Sequence, residues 1–176
     1  MQEHLSIALP SPFDFRATAY SHGWVVLAPN TWHEERTAVH RVERLSSGQV
    51  VLLQISGPGS NTQPELTIEV THTDGLSAPE REEIVAAVGR MFRTDEDLSP
   101  FYALCREKGG LWTRLTGGLG RLLRSPTLFE DVVKTICTTN IQWGGTVRMV
   151  GELVNAFGEP YAGDAIQRAF PVPEAL

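Results

Sequence analysis

His33-Glu34-Glu35 with His40 is the first set of side chains that could hold a metal. A zinc-protease helix needs its two histidines at i and i+4. Here they stand seven apart, and His40 falls on an expected strand, so both read as surface histidines. Gly117-Gly118-Leu119-Gly120 could offer backbone amides to phosphate. It follows a helix rather than a strand and lacks the Gly-Lys-Ser/Thr ending, which makes it a connector. Lys134 has the chemistry of a nucleophile and Asp131 that of an acid. Lys134 points roughly 130° from the apolar centre of its expected helix, which reads as a solvated lysine, and Asp131 lies off that face too. Local spacing supports no Ser-His-Asp or Cys-His arrangement.

Thr138-Thr139-Asn140-Ile141-Gln142-Trp143-Gly144-Gly145 is a tight turn between two helices. Thr139, Asn140 and Gln142 can hydrogen-bond bases or phosphates. Gly144 and Gly145 leave backbone N–H groups open at the start of the next helix, where anions bind. Arg121 and Arg124 lie upstream. The same residues also fit a plain helix–turn–helix corner with Trp143 packed inward.

The elements that must position this turn are legible in the hydrophobic pattern. Leu5, Ile7 and Leu9 alternate with polar neighbours, and Leu66, Ile68 and Val70 do the same. The apolar run Trp24–Leu27 reads as a strand. Residues 38–45 and 49–55 flank Ser46-Ser47-Gly48, which predicts a hairpin. Ser56–Pro64 is a loop by composition. After Thr73-Asp74-Gly75, Ser77 and Glu80 form a capping-box pair ahead of Ile84, Val85, Val88, Met91 and Phe92 at helical spacing. Ser99-Pro100 starts a second helix carrying Phe101, Leu104 and Cys105, broken at Gly109-Gly110. Ser125-Pro126 caps a third, with Phe129, Val132, Val133, Ile136 and Cys137 on its apolar face. A fourth carries Val147, Val150, Leu153, Val154 and Phe157, with Gly158 at C′ and Pro160 as its stop. Phe170–Leu176 starts another helix with Pro173 at N1, so the sequence is expected to continue. The class is α+β, with an antiparallel sheet domain over 1–95 and a helical portion over 96–176.

Composition narrows the partners. The longest apolar runs fall far short of the roughly 20 residues that a spanning helix needs, so no membrane is expected. No basic signal-type segment opens the chain. Two cysteines, Cys105 and Cys137, exclude a disulfide framework or a four-Cys metal site within these residues, and a cytoplasmic compartment is expected. The net charge of −6 hides an asymmetry: residues 1–97 hold 7 Lys/Arg against 14 Asp/Glu, while 98–176 hold 8 against 7. Within the second half, 106–134 carries six cations and three acids. Such a strip can meet phosphate locally, since fields act over about 10 Å.

Gly120-Arg-Leu-Leu-Arg-Ser-Pro-Thr-Leu-Phe-Glu-Asp-Val-Val-Lys-Thr-Ile-Cys-Thr-Thr-Asn-Ile-Gln-Trp143, running on to Val154-Asn-Ala-Phe-Gly158, resembles the opening of the helix–hairpin–helix DNA glycosylase domain. This is the superfamily of 3-methyladenine DNA glycosylase II and 8-oxoguanine DNA glycosylase. Phe170–Leu176 resembles the family's step into its next helix. Pro12-Phe-Asp-Phe15, His22-Gly-Trp24 and Leu27-Ala-Pro-Asn-Thr-Trp32 are similar to N-terminal domains of the bacterial alkylation-repair branch.

The resemblance implies a TATA-binding-protein-like sheet domain followed by the first helices of an all-helical domain. It implies an enzyme of base excision repair: a nucleoid-associated bacterial DNA N-glycosylase that flips an alkylated or oxidised base from damaged double-stranded DNA. Neither cofactor nor metal is implied, and the complete protein is expected to be a monomer. The family's Leu-Pro-Gly-x-Gly hairpin and catalytic Asp do not occur in 1–176. Catalytic residues are therefore expected beyond Leu176, and this chain alone is expected to be inactive. Asn140 falls at the position that fills the gap left by the flipped base. The alkylation branch has leucine there and the oxoguanine branch asparagine. Gly145 stands where the oxoguanine branch has an Arg that reads cytosine. Thr139, Gln142, Gly144, Arg121 and Arg124 complete the expected DNA contacts. The alternatives are a non-catalytic DNA-binding protein and an α+β interaction module without a DNA role.

Overall fold

The computed structural model describes residues 1–58 and 64–176. The loop expected over Ser56–Pro64 falls largely outside the described residues. Strands β1 (Gln2–Ala8), β2 (Asn30–His33), β3 (Ala38–Arg44), β4 (Val50–Ser56) and β5 (Glu65–Thr71) form one antiparallel sheet in the order β1-β5-β4-β3-β2. The strict alternation of β4 and β5 explains this. Val51, Leu53 and Ile55 face Leu66, Ile68 and Val70 on one side, all fully buried. Gly48, at φ 91°, closes the expected β3–β4 hairpin.

Two helices cover the apolar face. Helix α1 (Phe15–Ala19) lays Phe15 against Phe92 at 5.1 Å. Helix α2 (Ala78–Phe92) contributes Ile84, Val88, Met91 and Phe92. Its expected capping box is complete: Ser77 Oγ accepts from Glu80 N, and Glu80 Oε2 accepts from Ser77 N at 2.7 Å. Helices α3 (Ser99–Lys108), α4 (Leu128–Cys137) and α5 (Trp143–Phe157) follow. A 3-10 helix spans Gly110–Gly117 between α3 and α4. A two-stranded hairpin, β6 (Pro160–Tyr161) and β7 (Asp164–Arg168), then packs Tyr161 and Ala169 beside Val42 on the sheet's other face.

The architecture is α+β, sheet first and helices after. Core clusters cross the expected boundary at residue 95: Leu123 joins the sheet–α2 core, and Leu27 packs with Cys137, Val150, Val154 and Phe170. Among the described residues no helix is long and apolar enough to cross a membrane.

Several local expectations are corrected. Trp24–Leu27 is not a strand. Gly23 enters left-handed at φ 95°, and Val26 N and Leu27 N donate to Gly23 O and Trp24 O, giving a 3-10 turn over Trp24–Val26. The strand lies just after it, at Asn30–His33. The cap of α4 is Thr127, whose hydroxyl accepts from Glu130 N, rather than Ser125-Pro126. Gly158 sits at φ −73°, so its value is not a left-handed cap. A Cβ there would stand 2.2 Å from Ala169 O, so the chain needs glycine for close approach. Val132, Ile136 and Phe157, expected on packed faces, are exposed, as is Leu104. The tail forms a single 3-10 turn at Pro173–Ala175.

Candidate nucleic-acid interface

Helix α4 ends because Thr138 and Thr139 turn their hydroxyls back onto Thr135 O and Ile136 O, each at 2.7 Å. Such side-chain bonds compete with continuation of the helix. Asn140 then takes a left-handed backbone at φ 54°, a conformation asparagine tolerates better than most residues. Its side chain is exposed at the tip of the turn. Gln142 is the N-cap of α5. Its carbonyl accepts from Gly145 N at 2.8 Å and Thr146 N at 3.2 Å, and no side chain caps the helix.

The two glycines differ. A Cβ on Gly145 would meet Ile141 Cδ1 at 2.4 Å, so Gly145 makes room for Ile141. A Cβ on Gly144 would meet nothing within 4 Å. Gly144 therefore has no packing reason, and it lies exposed at an uncapped helix start. Trp143 takes an intermediate place between the two readings of the turn. Its ring lies on Gly23, where a Cβ would come within 2.7 Å, yet the residue stays 43% exposed.

The turn is held from behind. Buried Thr146 donates to Cys137 O, tying α5 to α4. Asp131 is not a bland surface acid: its Oδ1 accepts from Trp24 Nε1 at 2.8 Å and from Ser125 N at 2.9 Å, joining the 3-10 turn to α4.

Lys134 is the larger correction. It is wholly buried, and its ammonium donates to Glu130 Oε1 at 2.6 Å. Glu130 also accepts two bonds from Arg41 of β3, at 3.0 and 2.7 Å, and Arg41 pairs with Glu43. Burial opposes the Glu130 carboxylate, but Arg41 and Lys134 outweigh it and hold its pKa down at about 2. Burial lowers the Lys134 pKa, with Glu130 resisting. The apolar residues of α4 do not centre its buried face. The real buried face runs through Glu130, Lys134 and Cys137. The signal in the sequence is weak: Arg41 shares the face of Val39 on β3, and a buried guanidinium demands an acid, but the strand mixes four polar or charged residues with three apolar ones.

The basic strip shrinks accordingly. Arg121 is buried, not presented to solvent. Its guanidinium donates to Arg93 O at 2.6 Å and Glu96 O at 2.7 Å and lies over the Phe13 ring. With Lys134 gone too, Arg106, Lys108, Arg114 and Arg124 remain as its exposed cations. Thr139, Asn140, Gln142 and Gly144 are exposed together on one turn. Among the described residues no group of three or more His, Cys, Asp or Glu could hold a metal ion. His33 and His40 are not independent surface groups: their rings stack at 3.7 Å. Compared with protein-family models the chain matches no family, and compared with curated proteins it matches none.

Proposed function

We propose that this chain binds damaged double-stranded DNA through the α4–α5 turn, as the DNA-reading portion of a base-excision N-glycosylase. The observation that carries this is Asn140, left-handed and exposed at the tip of a turn that opens directly onto the uncapped start of α5. Exposed amides at Trp143 and Gly144 suit a phosphate, because the helix dipole favours negative charge there. The Asn140 amide, with both donors and an acceptor, suits the gap left by a flipped base. Arg124 adds a phosphate contact. In this reading the sheet domain is of TATA-binding-protein-like shape and the helices open a helix–hairpin–helix domain. In this reading the protein acts as a monomer.

No residue of 1–176 is assigned the excision step. The two acids and the amine of α4 are all spent on structure: Asp131 on Trp24 and Ser125, and Glu130 on Arg41 and Lys134. Excision by the 176-residue chain is therefore not expected.

The test is a salt-titrated binding measurement on lesion-bearing and intact duplex. Affinity should fall as salt rises, because phosphate contacts release counterions. Asn140→Gly keeps the left-handed backbone and removes the side chain. It should weaken lesion binding and leave binding to a duplex with an abasic gap nearly unchanged. Equal loss on both duplexes would remove Asn140 from the role of gap filler.

A stripe of exposed Leu128, Val132 and Ile136 on α4 favours a second reading, an interaction module without a DNA role. Binding to duplex that is absent at low salt would leave that reading in place.

A further inference from the structure

The polar face of the sheet carries a second feature, at the far end of α5 from the turn. There β2 and β3 on one side and α5 and β7 on the other leave a cleft of about 350 Å³. That lies within the range of small-molecule pockets, roughly 300–1,000 Å³. Its apolar walls are Pro29, Val42, Val154 and Ile166. Ile166 is 84% exposed at the cleft rim.

The ionisable groups lining this cleft are bases, and one of them, Arg168, is an unpaired cation among the described residues. The chain carries 21 acids against 15 Lys/Arg, yet among the described residues no carboxylate lines the cleft, while His33, His40, Arg41 and Arg168 do. Arg41 is already neutralised by Glu130 and Glu43. Arg168 is not: Nη1 donates to Gly158 O at 2.8 Å, and among the described residues it makes no ion pair. The nearest acid on β7, Asp164, is turned onto its own hairpin, accepting from Ile166 N and Gln167 Nε2.

The imidazoles form a fixed flat surface. His33 and His40 stack at 3.7 Å with 21° between planes. Gln54 Oε1 holds His40, meeting its Nε2 at 2.9 Å and accepting from Arg36 at 2.6 Å, and His33 lies on the His40 ring. Two amides stand at the rim with capacity to spare. The Asn155 side chain makes no hydrogen bond among the described residues. Gln167 uses its Nε2 on Asp164, and its carbonyl accepts no hydrogen bond among the described residues.

We propose that this cleft is a binding site for a planar organic anion of the nucleoside-monophosphate class. The imidazole pair and the Val154–Ile166 wall take the flat ring, Asn155 and Gln167 read its polar edge, and Arg168 takes the anionic group. The site is independent of the DNA reading. Asn155 lies twelve residues along α5 from Trp143, roughly 18 Å along the axis.

The test is a titration of the 176-residue chain with adenosine 5′-monophosphate, adenosine and inorganic phosphate, followed by the imidazole NMR signals of His33 and His40. The monophosphate should give a saturable shift of both signals. Adenosine and phosphate should each bind about tenfold or more weakly, since each lacks one half of the recognition. Asn155→Asp is isosteric, exposed and brings a negative charge into the cleft, so it should weaken the monophosphate about tenfold. Gln167→Glu is a second variant of the same kind, read on the same signals. No saturable shift with any probe overturns the proposal. So does phosphate or adenosine binding as tightly as the monophosphate, or an affinity that neither variant changes.

Discussion

Asn140 and Lys134 show how differently two polar residues a turn and a half apart can be used. The cap position of α5 belongs to Gln142, so Asn140 has no capping role to lose. Its structural contribution is tolerance of φ 54°. Asn140→Ala should therefore cost about 1–2 kcal/mol through backbone strain, while Asn140→Gly should be near neutral in a thermal or urea melt. If both variants melt like the parent, the left-handed turn is not what the side chain was chosen for. Lys134 is the reverse case, a charge whose whole role is internal. Glu130→Gln would leave Arg41 and Lys134 without their shared acid and should cost about 3–5 kcal/mol. Adding Lys134→Met to that variant should restore part of the loss, because it removes the stranded ammonium. Strict additivity in that double-mutant cycle would mean the two groups do not interact. A solvated Lys134, as its place on the helix wheel suggested, predicts almost no effect from Lys134→Met alone.

The elements that were legible beforehand are those whose signals are local. The β3–β4 hairpin follows from alternation and Gly48, and α2 from its capping box and period. The ones that were not depend on partners distant in sequence. Val132 and Ile136 look like core in a helix read alone, yet the sheet offers α4 an arginine, so the helix turns its Glu130–Lys134 side inward and leaves those two outside. Strand β2 is four residues long and gains its identity from pairing with β3. The turn is found over Thr138–Gln142, where helix-breaking residues act locally, whereas Trp143, Gly144 and Gly145, expected within it, already belong to α5. The burial of Arg121 was not visible, because its acceptors are carbonyls at Arg93 and Glu96. The glycines of α5 test this division between local and distant causes. Gly151 sits mid-helix with nothing within 4 Å of a Cβ, so Gly151→Ala should raise stability by about 0.8–1 kcal/mol from helix propensity alone. Gly158→Ala drives a methyl into Ala169 O and Val154 O and should lower the melting temperature markedly. Equal behaviour of the two variants would show that propensity, not close approach, governs the end of α5.

Most of the groups with shifted pKa values below neutrality push in one direction. Burial lowers the pKa of His22, with Asp131 and the Leu123 backbone resisting. Burial and the neighbouring charges of His33 and Arg36 lower His40, with Gln54 and Glu69 resisting. A base held below its ordinary value of 6.5 takes its proton more readily when unfolded. Its contribution to stability is present above that pH and is lost on acidification below it. The carboxylates continue the trend lower down. Arg41 and Lys134, against burial, hold Glu130 at about 2, and hydrogen bonds from Ser47 and Ser77 hold Glu80 at about 2. Glu3, beside Arg81, is lowered as well. These acids stabilise the fold above 4.5 and lose that effect as the pH falls toward 2. Glu43 opposes them, since burial raises its pKa and it gains a proton early in the folded state. Melting temperature at fixed ionic strength should therefore fall in two stages, the first setting in below about 6.5 and the second below about 4.5. The double variant His22→Asn/His40→Asn should lose the first stage and keep the second. A parent protein whose melting temperature is flat from neutral pH down to about 4.5 would exclude both imidazoles from the first stage and leave acid lability to the carboxylates alone.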